Sequence, residues 1–107
     1  MLSGKYEHGA QPADARITRY QRFARYSNLQ ARTACSKYVA LAREYGLDPA
    51  QMALAFVTAQ PFVTSSIIGA TSLEQLDSNL RSSTIRLPDE VIEHIEAIHV
   101  EQPNPAP

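Results

Sequence analysis

The sequence lacks several features that mark common classes of protein. Its 107 residues include one cysteine, Cys35, which excludes an internal disulfide and suits a reducing compartment. No apolar run approaches the roughly 20 residues that a membrane-spanning helix needs. The chain also turns polar at Ser3-Gly4-Lys5, which predicts that no signal peptide is present. We therefore expect a cytoplasmic protein with no membrane partner.

An excess of charge of one sign is also missing. The formal net charge is −1, so the whole chain is not basic, as a nucleic-acid binder commonly is. Residues 1–50 nevertheless carry eight Lys or Arg against four Asp or Glu. Within them, arginines at three-residue intervals alternate with aromatic residues over 16–26. This stretch leaves weak binding of single-stranded nucleic acid open as an alternative. Salt-bridged surface is the more common role, so we predict no nucleic-acid partner.

Motifs for other kinds of chemistry are absent as well. None of the four glycines belongs to a Rossmann fingerprint or a Walker loop. His94 and His99 are five residues apart, well off a common helix face, and have no further His or Cys nearby. We therefore predict no metal site. Cys35 lies within a predicted helix, where packing is a more common role than nucleophilic catalysis.

What the sequence does contain is a succession of helices. Apolar residues recur at intervals of three and four over about 28–45, which predicts an amphipathic helix that ends at Gly46 in a left-handed C-cap. Asp48 and the proline after it predict the start of a second helix, with Gln51 completing a capping box. This helix runs to about residue 59 and is apolar on nearly all sides, so it needs cover on more than one face.

A single convincing strand follows, over 63–68, and two more helices are predicted over about 72–80 and from near Pro88. One strand cannot form a sheet, because its N–H and C=O groups need neighbouring strands. The sequence therefore predicts an α/β fold of which this chain is only a piece.

The junction of the strand with the third helix carries the most information. Gly69 permits a turn or the close approach of a ligand, and Thr71 with Glu74 predicts a capping box. The free N–H groups and the dipole of a helix start favour an anion such as phosphate. On this local pattern alone, an ordinary junction without a ligand remains the more common explanation.

Residues 67–79, Ile-Ile-Gly-Ala-Thr-Ser-x-Glu-Gln-Leu-x-x-Asn, resemble the last βα unit of the aldo-keto reductases. The resemblance is to the branch that holds the bacterial Tas-like proteins and the potassium-channel β subunits. Residues 2–6 resemble the segment after the seventh barrel strand, and residues 48–57 resemble the helix before the eighth. The resemblance covers almost the whole chain.

This resemblance implies that residues 1–107 form the C-terminal part of a (β/α)8 barrel, mostly helical with one strand. It also implies an oxidoreductase that reduces aldehydes or ketones with NADPH, with a small-molecule carbonyl substrate in the complete protein. The family's catalytic Asp, Tyr, Lys and His lie on earlier strands, which this chain lacks. We therefore assign no catalytic residue, and we expect the isolated chain to be inactive.

By the same resemblance, six residues correspond to positions that hold NADP(H) in the family: Lys5, Arg16, Gly69, Thr71, Gln75 and Asn79. Lys5 and Arg16 would contact the pyrophosphate and 2′-phosphate region, Arg16 after a one-residue shift in loop length. Thr71 would hold the 2′-phosphate through its hydroxyl and its backbone N–H.

Gln75 and Asn79, four residues apart on one helix face, would reach the adenosine edge of the cofactor. Ser78 departs from the family pattern, which usually has Glu there, and weaker recognition of adenine is expected. A rival hypothesis is a small self-standing helical interaction module whose apolar second helix is buried by dimerisation.

Overall fold

The computed structural model describes residues 2–3 and 28–106. Within these residues four α-helices follow one another, with a 3₁₀ turn, Ser82–Thr84, directly after the third. They are α1 (Leu29–Glu44), α2 (Pro49–Thr58), α3 (Leu73–Arg81) and α4 (Asp89–Glu101). All four predicted helices are confirmed, with the predicted starts of all four and the predicted ends of the first three correct to within about two residues, the usual uncertainty of a helix boundary.

The turn between α1 and α2 forms as its glycine predicts. Gly46 has a φ of 66°, in the left-handed region. The N–H of Leu47 donates to the carbonyl of Ala42 at 2.8 Å, and that of Gly46 donates to the carbonyl of Arg43 at 3.1 Å. This pair of bonds is the Schellman arrangement, which satisfies carbonyls that a helix end leaves unpaired.

Side-chain caps begin α1 and α2. The Asn28 side chain accepts from the N–H of Ala31 at 2.7 Å, and the Asp48 carboxylate accepts from the N–H of Gln51 at 2.9 Å. Each such cap is worth about 1 kcal/mol. The predicted capping box at α2 is only half formed, because the Gln51 side chain reaches α3 instead of returning to Asp48.

The core lies where α1, α2 and α4 meet. Its buried side chains are Leu41, Ala42, Met52, Val91 and Ile95. Val91 is fully buried, which stabilises the fold by about 1.5–3 kcal/mol relative to an exposed side chain. Although α2 also packs against α3 and the 3₁₀ turn, only Met52 and Ala55 of this helix are buried and Val57 is 44% exposed, so the described residues cover its apolar surface only in part.

The C-terminal end of α3 is fixed by side chains. The last four carbonyls of an α-helix have no partner within the helix. In α3 each of these carbonyls accepts from a side chain: Ser78 from Gln51 at 2.9 Å, Asn79 from Ser82 at 2.6 Å, Leu80 from Ser83 at 2.8 Å, and Arg81 from Thr84 at 2.9 Å. Three of these bonds close the turn that follows α3, and only the bond from Gln51 ties this end of the helix to another helix.

The prediction of a strand over 63–68 is wrong for this chain. Across 2–3 and 28–106 the structure contains no strand, and the residues between α2 and α3 form an irregular connection. A strand exists only through hydrogen bonds to a neighbouring strand, and the described residues supply no such neighbour. Ile67, an apolar residue at the middle of this connection, is 98% exposed.

Candidate functional site

Four of the six predicted cofactor residues lie together at the start of α3. Gly69 and Thr71 end the connection from α2, and Gln75 and Asn79 lie on α3 itself. The Asn79 side-chain amide donates to the carbonyl of Gly69 at 3.4 Å, a long bond that ties the helix to the connection. Lys5 and Arg16 lie outside the described residues, as does the Arg and aromatic stretch 16–26.

Gly69 does not need the conformational freedom of glycine. Among the glycines that the structure describes, only Gly46 has a positive φ. A Cβ added to Gly69 would meet no atom within 4 Å. The turn predicted at Gly69 therefore does not require glycine, whereas the open space beside it agrees with the close approach of a ligand.

The N-cap of α3 lies one residue later than the sequence analysis predicts, and only half of a capping box forms there, because the Gln75 side chain contacts Thr71 instead of the N–H of Ser72. Ser72, and not Thr71, is the N-cap, and its hydroxyl accepts from the N–H of Gln75 at 3.2 Å. The prediction of a box between Thr71 and Glu74 is therefore wrong. A hydroxyl followed three residues later by Glu or Gln occurs in both registers here, so the motif alone could not decide between them.

Because Ser72 is the N-cap, the N–H and the hydroxyl of Thr71 both donate to the same acceptor. The carbonyl oxygen of the Gln75 side chain accepts from the N–H of Thr71 at 3.0 Å and from its hydroxyl at 3.1 Å. Both residues are exposed. Two donors that converge on one oxygen are the arrangement that a phosphate oxygen requires, so an anion could replace the Gln75 oxygen.

An open cleft of about 270 Å³ lies beside this junction. Its lining comes from the N-terminal segment, α2, the connection and α3: Leu2, Ser3, Ala50, Ala53, Leu54, Ile67, Ile68, Gly69 and Asn79. The cleft thus brings Leu2 and Ser3 close to Gly69 and Asn79. These are parts of the two segments whose resemblance implies cofactor binding.

Gln51 is a residue of this region that the sequence analysis did not assign to the site. Its side-chain amide donates to the carbonyl of Ser78 at 2.9 Å and lies 3.2 Å from the Ser78 hydroxyl. Ser78 therefore contacts α2, and its side chain is half-buried. The available signal was that Gln51 is one of only two polar side chains, with Thr58, in an otherwise apolar helix.

Two tyrosines near the C-terminal end of α1 have raised pKa values. Burial, with the charge of Glu96, raises the pKa of Tyr38 above 10.0. Burial, followed by the hydrogen bond that its hydroxyl donates to the Glu90 carboxylate, raises the pKa of Tyr45, whose ring centroid lies 6.2 Å from that of His94. Both phenols are thus weaker acids than free tyrosine. No group of three or more His, Cys, Asp or Glu in the described part could hold a metal ion.

The longest helix that the structure describes, α1, has 16 residues. In the part of the chain that the structure describes, no helix has both the length and the apolar character needed to cross a bilayer.

Comparison with known proteins identifies the family. A sequence model of the aldo/keto reductase family matches residues 1–100. The chain is 52% identical over 106 residues to "Protein tas" of Escherichia coli (strain K12), a match that covers 99% of this chain and 31% of that protein. It is 32% identical over 112 residues to a "Probable voltage-gated potassium channel subunit beta" of Oryza sativa subsp. japonica, covering 96% and 33%.

A protein of the same description from Arabidopsis thaliana is 33% identical over 89 residues, covering 77% of this chain and 26% of that protein. The chain thus spans about a third of the length of these relatives. The fold that this family implies is a (β/α)8 barrel. On the match over residues 1–100 and the 52% identity, the chain belongs to the aldo/keto reductase family.

Proposed function

We propose that this chain is the C-terminal, cofactor-binding part of an aldo-keto reductase that reduces aldehydes or ketones with NADPH. Family membership and the one-third coverage of the relatives support this assignment. The observation that carries it is the pair of Thr71 donors converging on one oxygen, next to open space at Gly69. The proposal includes a small-molecule carbonyl substrate, a cytoplasmic location, and no nucleic-acid or membrane partner.

In this proposal the residues of the chain bind and orient the cofactor. Thr71 donates its N–H and hydroxyl to the 2′-phosphate, while Gln75 and Asn79 face the adenosine. Lys5 and Arg16 neutralise charge on the phosphates. When bound, NADPH supplies the hydride that reduces the carbonyl carbon. The catalytic residues belong to the remaining two-thirds of the barrel.

Binding of the phosphate exchanges one acceptor for another at Thr71. In the structure the Gln75 oxygen occupies both donors. A phosphate oxygen carries more negative charge than an amide oxygen and makes the stronger hydrogen bonds. The released Gln75 side chain is then available to the ribose and adenine, one turn along the same helix face from Asn79.

The test is Thr71→Asp in the complete protein, with Thr71→Asn as the matched neutral control. A carboxylate beside the 2′-phosphate should raise the Kd for NADPH about fivefold or more, because like charges a few ångströms apart repel by about 1 kcal/mol even in water. NADH lacks the 2′-phosphate, so its Kd should stay unchanged in both variants. Fluorescence titration of the reduced nicotinamide measures all four affinities.

Equal NADPH affinity in Thr71→Asp and Thr71→Asn would remove Thr71 from the phosphate site. A wild-type protein that binds neither NADPH nor NADH would contradict the proposed function itself.

A further inference from the structure

Within this chain, apolar packing holds the rotation of α3 about its own axis only weakly. None of its residues is buried; Leu73 and Leu80 are mostly exposed, and Leu76 is 38% exposed. Burial of an apolar stripe is what normally holds a surface helix in one orientation. The orientation of α3 therefore depends in part on polar contacts.

The hydrogen bond from the Gln51 side chain to Ser78 is such a contact, and the backbone of Gln51 is itself held in place. The N–H of Gln51 donates to the Asp48 carboxylate at 2.9 Å, which holds the backbone of the first turn of α2. From there its side-chain amide reaches the carbonyl and the hydroxyl of Ser78 on α3, 27 residues further along the chain. Both ends of this link are partly buried, so water competes less for it than at an exposed site.

Ser78 lies next to the two helix residues of the proposed cofactor site. It directly precedes Asn79 and lies three residues after Gln75, so the three side chains move together when α3 turns. A rotation of roughly 20° displaces a side-chain tip about 5 Å from the helix axis by about 2 Å. Displacements of that size are enough to lose hydrogen bonds to a ligand.

We propose that Gln51 is a positioning residue of the cofactor site. It holds α3 against α2 at the rotation that directs Gln75 and Asn79 towards the adenosine of NADPH, and it does not contact the cofactor itself. This inference rests on the proposed function of the site. It assigns a role in cofactor affinity to a residue of the helix before the site.

The test variant is Gln51→Met in the complete protein, because methionine has a similar length and flexibility but no N–H donor. Its Kd for NADPH should rise about three- to tenfold, the range expected from loss of one net hydrogen bond. With an aldehyde that the wild type reduces, KM for NADPH should rise by the same factor while kcat at saturating NADPH stays within about twofold.

Lys37→Met is the matched control. It removes the ion pair with Glu101, which also links two helices, α1 and α4, but touches none of the site residues. Its Kd for NADPH should equal that of the wild type. Urea unfolding of both variants without cofactor separates a loss of stability from a loss of affinity.

Ser78→Ala provides a second measurement. It keeps the 2.9 Å bond from Gln51 to the backbone carbonyl and loses only the contact at 3.2 Å, so the Kd should rise about twofold. Should Gln51→Met fail to fold, the Ser78→Ala result decides: an unchanged Kd overturns the inference. If Gln51→Met folds and binds NADPH as tightly as the wild type, the inference also fails. In either case the proposed function stands as long as the wild type binds NADPH.

Discussion

Gly46 and Gly69 show how one residue type serves two different needs. Both have space around them, since a Cβ on either would meet no atom within 4 Å. They differ in backbone conformation, because Gly46 adopts a φ of +66° that L-residues with a side chain seldom adopt. Gly46 is thus required by the turn, whereas the backbone conformation at Gly69 does not require glycine.

This contrast predicts opposite effects of alanine at the two positions. Gly46→Ala should lower the free energy of unfolding by about 1–2 kcal/mol through left-handed strain and leave the Kd for NADPH unchanged. Gly69→Ala should leave stability unchanged or raise it by up to about 1 kcal/mol, since alanine restricts the unfolded chain. It should raise the Kd for NADPH about threefold or more by keeping the cofactor away from the backbone.

Urea unfolding and NADPH titration of the two variants, each the control for the other, measure these effects. An unaltered NADPH affinity in Gly69→Ala would show that no ligand approaches this glycine.

At the scale of elements, substitutions at the start of α3 can distinguish Ser72 from Thr71 as its N-cap. Ser72→Ala should lower the free energy of unfolding by about 1 kcal/mol, because it removes the acceptor of the Gln75 N–H. Thr71→Val keeps the shape of the side chain and removes only an exposed hydrogen bond, so it should cost less than half of that. A larger loss from Thr71→Val than from Ser72→Ala would restore the capping box between Thr71 and Glu74.

The elements differ in how far the sequence could predict them, and the reason is the range of their interactions. The ends of α1 and the start of α2 depend on residues within five positions of one another, such as Gly46 with Ala42 and Leu47, and they were predictable. The link from Gln51 to Ser78 joins residues 27 apart, and no local pattern contains it. The strand over 63–68 fails for the same reason, because strands require partners that lie elsewhere.

The proximity of the four described candidate residues was predictable, but their hydrogen bonds were not. Resemblance places Gly69, Thr71, Gln75 and Asn79 at one junction, and the structure brings these four together. The acceptor at Thr71 is nevertheless the Gln75 side chain of the same turn, which no family pattern indicates. Side-chain contacts of exposed residues depend on small energy differences between rotamers, and sequence spacing does not encode these.

At the scale of the whole molecule, the exposed apolar surface is the property that distinguishes the proposed barrel part from the rival interaction module. Large apolar side chains on the connection and at the start of α3 are almost fully exposed: Phe62 at 82%, Ile67 at 98% and Leu73 at 84%. If the remaining barrel normally covers such a surface, the isolated chain exposes it to water. A stable dimer would instead bury it and leave a cooperative fold.

We therefore expect the isolated 107-residue chain to bind a hydrophobic dye such as ANS, to unfold without a sharp transition, and to oxidise no NADPH with a panel of aldehydes. The complete protein, assayed beside it under the same conditions, should unfold cooperatively and turn over at least one aldehyde. Turnover by the isolated chain would refute the assignment of catalysis to the rest of the barrel. A defined oligomer of the isolated chain with a sharp thermal transition would favour the interaction module, because an interface that buries the exposed apolar side chains would stabilise the folded chain.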